Sequence, residues 1–171
     1  MDGIKQRLLG LCLPPFLLCM LDCILTLQGQ SFQYWAGDYS SVNEGSPTFN
    51  HLLHIHPAAF LAGMTIWALV FVGIIILMPD TLALICSIAV ALGHTVGAAS
   101  WLILRFHHGY QFCNGLFLIV AIILGVGIRW GWRAVPEQKY RLTLFSPIIR
   151  WLLVALLVCV AAYLFLLPRM P

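Results

Sequence analysis

Long apolar runs separated by short polar stretches set the pattern of this chain. They lie at roughly 7–29, 57–78, 81–106, 111–132 and 147–167. Each spans about 21–26 residues, and at about 1.5 Å per residue such a helix crosses a hydrocarbon core of about 30 Å. Backbone groups in lipid must be satisfied within the segment, so the runs are predicted to be helices. The expected fold is an all-α integral membrane protein: a five-span transmembrane helix bundle formed by a single domain, 1–171, with a polar loop at 30–56.

The breaks between the runs carry their own signals. Pro14-Pro15 is expected to kink the first span or mark its start. Pro57 suits the first position of a helix, and it pushes His56 into an extended conformation just outside. Pro79-Asp80 reads as a tight turn, His107-His108-Gly109-Tyr110 as a short link, and Arg133 to Ser146 as a basic loop. Tyr34, Trp35 and Tyr39 suit a membrane interface. Small residues recur at helical spacing in Ala59 with Gly63, Gly93 with Gly97, and Gly127 with Gly131, where helices can approach closely.

Composition strengthens the membrane reading. The chain is 61% hydrophobic and 9% charged, with a mean hydropathy of +0.95. Soluble domains carry about 25% charged residues, far more than this chain has to cover a wet surface. The six cysteines form no CxxC pair and lie in or beside apolar runs, so no disulfide framework is expected. Lys5 and Arg7 before an apolar run resemble a signal peptide, but the run reaches Gly29 without a small-x-small cleavage site. It is therefore expected to remain as the first helix.

Charge sets the orientation. Lys5, Arg7, Arg129, Arg133, Lys139, Arg141 and Arg150 fall on the N-terminal side, and Arg105 and Arg169 on the other. The positive-inside rule then puts the N-terminus in the cytoplasm and the C-terminus outside. The 30–56 loop and His107-His108 would face outward. No basic patch with interleaved aromatics is present, so no nucleic-acid partner is expected.

Two ionisable residues, Asp22 and His94, lie deep in apolar spans. A charge there costs about 2.5–3.5 kcal/mol on insertion scales, so such groups face the bundle interior and find partners. Their expected depths differ by about 5–6 Å, close enough to meet directly or through a water. They are either a packing pair or part of a relay or ligand site. Glu44, His54 and His56 are the candidate metal ligands, because two histidines separated by one residue project to the same side of an extended segment. Asp38, His51, His107 and His108 could add to them. The expected cofactor is zinc or another divalent metal. The alternative is a set of interfacial histidines. Haem is not expected: His56 should lie about 15 Å outward of His94, too far for an axial pair. Arg105 could contact an anion or lipid headgroup, or simply snorkel to the interface. No HExxH, GxSxG or P-loop motif is present.

Asp22 with Thr26 one turn on, Gly29 closing the span, and the Glu44-Gly45-Ser46-Pro47 element together resemble DUF5658, a family of small bacterial membrane proteins of unknown function. The family favours asparagine where this chain has Ser46, and the His-rich segment and five spans also depart from it. The resemblance covers about the first third of the chain. It implies an architecture and that Asp22 and Glu44 matter together; the expected location is the bacterial inner (cytoplasmic) membrane.

Three functions fit these features. The first is a small polytopic membrane protein with an outward-facing Asp/Glu/His pocket that binds a divalent metal and can activate water near the outer leaflet. The second is a non-catalytic accessory subunit of a larger membrane complex, or a homo-oligomer, meeting other membrane subunits as well as the lipid bilayer. The third is a proton path through Asp22 and His94.

Overall fold

The computed structural model describes Lys5, residues 7–133 and residues 147–166, and among them it contains helices and no strand. Helix α1 runs Leu8–Gln28. Then follow α2 (Phe32–Trp35), a short 3-10 turn (Tyr39–Ser41) and α3 (Pro47–Ile55). Four more helices complete the described chain: α4 (Pro57–Leu77), α5 (Asp80–Arg105), α6 (Gly109–Arg133) and α7 (Pro147–Leu166). Helices α1, α4, α5 and, over Gly109–Arg129, α6 are each long and apolar enough to cross a membrane. The chain is thus a polytopic helical membrane protein. The expected basic loop, from residue 134 to 146, and Arg169 lie outside the described residues.

Pro14 and Pro15 shape the start of α1. The helix opens with a π-helical turn, Leu8–Cys12, before the regular part begins at Leu13. A proline has no N–H for the carbonyl four residues back, so Pro15 leaves Leu11 O without its usual donor. The Ser87 hydroxyl of α5 supplies one at 2.6 Å. Pro14 frees Gly10 O in the same way, and that carbonyl lies against Gly127 of α6, where an added Cβ would stand 2.6 Å from it. α5 thus supplies a donor to the Leu11 carbonyl, as neighbouring helices do for prolines within spans, and α6 packs closely over the Gly10 carbonyl.

α1 packs chiefly on α5, and α5 in turn on α6, while α4 packs against α7 and α5. One core cluster joins α1 and α4 to the 30–56 segment through Cys19, Tyr34, Leu53, Phe60, Met64 and Phe71. A second joins α1, α5 and α6 through Leu18, Ala91, Ala98, Cys113, Leu116 and Val120. At the end away from 30–56, Arg7 donates to Met78 O, and Arg150 donates to Leu77 O at 2.9 Å. The two guanidinium groups satisfy carbonyls at the C-terminus of α4, where cations are favoured. All six cysteines are free.

The 30–56 segment is a folded cap and not an open loop. Ser31 caps α2 by accepting from Tyr34 N. Tyr34, expected at an interface, is fully buried, and its hydroxyl donates to Leu53 O at 3.1 Å. Trp35 keeps the exposed position. The buried side chain of Gln30 donates to Asn43 O at 2.9 Å and accepts from Asn43 N at 2.8 Å. Asn50 then donates to Glu44 O at 2.8 Å. These bonds seat Glu44 over the end of α1.

Candidate functional site: a cavity under the cap

A cavity of about 450 Å³ lies between α1, α4 and α5 beneath the cap. Helical spacing builds each wall. Asp22 and Thr26 of α1 are four residues apart, as are Gly97 and Trp101 of α5, while Phe60, Met64 and Trp67 follow a single stripe of α4. Glu44, Ser46 and Phe49 of the cap close the end. Ala89, Gly93 and Ser100 of α5 line the cavity and are also exposed, so it opens along the side of α5. A Cβ added at Gly93 would meet open space.

Asp22 Oδ2 lies 2.9 Å from His94 Nδ1. Both side chains are largely buried, 16% and 9% exposed. On the other side of the ring, Trp67 Nε1 donates to His94 Nε2 at 3.3 Å. An indole N–H can only donate, so Nε2 accepts and carries no proton. The proton of the neutral ring then sits on Nδ1 and is donated to Asp22. This is one continuous chain from indole to imidazole to carboxylate, and it defines the tautomer. The approach needs Gly97: a Cβ there would stand 2.6 Å from each Asp22 carboxylate oxygen. Similarly, the Trp101 ring lies over Gly29, where a Cβ would collide with it.

Glu44 accepts from Ser46 N at 2.7 Å. Burial pushes its carboxyl above the usual range, and the Asp22 carboxylate adds to that, while the Ser46 and Gly45 N–H groups act against it. The folded chain therefore holds a proton at Glu44 over a window where the unfolded chain has lost it. Stability from this group is present below the ordinary glutamate pKa and is lost as pH rises through the raised value. Thermal unfolding in detergent, followed against pH, should show a decline across that window that Glu44→Gln removes. Parallel curves for the two proteins would contradict it.

The candidate metal ligands Glu44, His54 and His56 are not brought to one point. The stretch expected to be extended is helix α3, so His54 sits on its last turn, exposed, while His56 lies beyond it in the break before α4. His56 is extended (φ −178°, ψ 148°), and its Nδ1 accepts from Ala58 N at 3.0 Å as the cap of α4. Its ring also meets Tyr39 edge-on, centroids 5.2 Å apart. Among the described residues no three His, Cys, Asp or Glu side chains are placed to hold one metal ion. His107 and His108 pack on each other, exposed, in the α5–α6 turn. The Arg105 guanidinium lies 6.0 Å from the Trp101 ring centre.

Trp67 was not among the residues that the sequence reading singled out. Its signal is the spacing of Phe60, Met64 and Trp67, which puts an indole on the same stripe as two core residues. Gly97, expected to let helices approach closely, lies against the Asp22 carboxylate. No family model, no curated protein and no solved structure matches the chain.

Proposed function

We propose that this chain is a five-span membrane protein, N-terminus cytoplasmic and cap outside, whose cavity binds an amphiphilic small molecule. The observation that carries this reading is a largely apolar cavity of about 450 Å³ with Asp22, His94 and Glu44 in its wall and an opening along α5. Binding pockets have this size and this mixture of apolar surface with few polar groups. The ligand's polar group sits at Asp22 and Glu44, and its apolar part lies along Met64 and Val90. It enters from the side, past Ala89 and Gly93. The orientation rests on the distribution of lysine and arginine, and the fifth span rests on α7, whose apolar stretch includes Ile148–Val160. The bacterial inner membrane is part of this reading, in keeping with the resemblance of the Asp22 and Glu44 elements to DUF5658.

A brominated alkyl amphiphile tests the reading, since bromine quenches nearby tryptophans and Trp67 and Trp101 line the cavity. Saturable quenching is expected in the native chain. It should be lost in Gly93→Phe, which fills the opening from a position with free space. Equal quenching in both proteins would reject the cavity as the site.

An accessory-subunit role draws on α6. Its apolar window is 22% buried within the chain, against 44% for α1. This is the least covered of the four long helices, and the surface best placed to meet another membrane protein.

A further inference from the structure

Among the described residues, the cavity lining carries two carboxylates, Asp22 and Glu44, and no lysine or arginine. His94 does not offset them, because the Trp67 N–H occupies the ring nitrogen that would carry a second proton. Four aromatic rings, Phe49, Phe60, Trp67 and Trp101, share the same lining. Carboxylates attract cations, and aromatic faces stabilise them further once water is excluded.

We infer that the ligand is an organic cation, an ammonium group on an apolar body. The ammonium lies between Asp22 and Glu44 against the aromatic rings, and the body fills the apolar part of the cavity. An anion would meet two carboxylates with no cationic side chain to balance them. A neutral amphiphile would leave the Asp22 carboxylate, bonded to the neutral His94 ring, with no opposite charge beside it in a low-dielectric space, which is costly. A bare metal ion would leave most of the 450 Å³ unfilled, and the described residues do not converge on one point to ligate it. Quaternary ammonium recognition by aromatic cages follows the same chemistry. This inference rests on the reading of the cavity as an amphiphile site. The ammonium can come from an amine-bearing lipid sliding in past α5 or from a lipophilic cation dissolved in water.

The test uses the full chain in nanodiscs of phosphatidylglycerol, which has no amine. Hexyltrimethylammonium is titrated against its uncharged isostere, in which a quaternary carbon replaces nitrogen. Tryptophan fluorescence reports binding, and the plugged Gly93→Phe chain supplies the background from partition into lipid. The ammonium should bind about tenfold or more tightly than the isostere. Asp22→Asn and Glu44→Gln should each weaken it by about tenfold while leaving the isostere unchanged. If Asp22→Asn does not fold, Glu44→Gln carries the test alone. Equal binding of the two compounds would overturn the cation and leave the amphiphile site standing. Binding of neither would overturn both. Phosphatidylethanolamine in the nanodisc then separates the sources. Competition by this lipid assigns the ammonium to a headgroup, and unchanged affinity assigns it to the aqueous side.

Discussion

Replacing His94 by phenylalanine should lower the unfolding free energy by about 3 kcal/mol, because it strands the Asp22 carboxylate in an apolar bundle. Phenylalanine is larger than histidine, so none of this loss comes from an empty space. What disappears is the Nδ1–H that Asp22 accepts at 2.9 Å and the acceptor for Trp67. Adding Asp22→Asn should return most of the loss, since a neutral amide is far cheaper than a carboxylate to leave in low dielectric. Asparagine also keeps the shape that fits against Gly97. Unfolding in mixed micelles titrated with a denaturing detergent would give both numbers. If the single variant falls within about 0.5 kcal/mol of the parent, the pair contributes no net stability, as with many hydrogen bonds within membranes.

Gly109→Ala should cost a further class of energy, about 2–3 kcal/mol from overpacking against backbone. Gly109 begins α6 directly after the turn from α5, and its N–H donates to Phe106 O at 2.9 Å. A Cβ there would run into Leu102 O and stand 2.6 Å from Ile103 Cα. Neither atom can swing aside, because both belong to the last turns of a regular helix. Gly97 offers the contrast: its crowded neighbour is the end of a side chain, which can rotate away at the expense of the Asp22–His94 bond. The same detergent titration should show Gly109→Ala destabilised, with α5 and α6 losing their fixed crossing. Protein as stable as the parent would show that the turn can relax.

The four long helices were legible because each is a run of apolar residues bounded by proline, glycine or charge, and lipid forces such a run to close its own hydrogen bonds. The Asp22–His94 depth argument was legible for the same reason: helical rise converts residue number into height. The cap was not. Its helices α2 and α3 are short, and buried Tyr34 and Gln30 order them through contacts to distant residues such as Leu53 and Asn43. Pro57 dictates only the residue before it, so His56 is extended, while His54 two places back lies in the last turn of α3. The same-side placement of His54 and His56 required both residues to be extended. The cavity itself depends on three helices and the cap meeting, which no local pattern encodes.

Gln30 grips residue 43 only through its peptide N–H and carbonyl. The side chain at 43 points into none of these bonds and is exposed. Related sequences should therefore vary freely at 43, proline excepted, because proline has no N–H to give. At 30 they should hold an amide. Glutamate there would set a carboxylate oxygen against the carbonyl of 43, where only a donor is tolerated. The two ends of this single contact thus carry opposite evolutionary freedom, and an alignment that constrained 43 but relaxed 30 would contradict the way the cap is held.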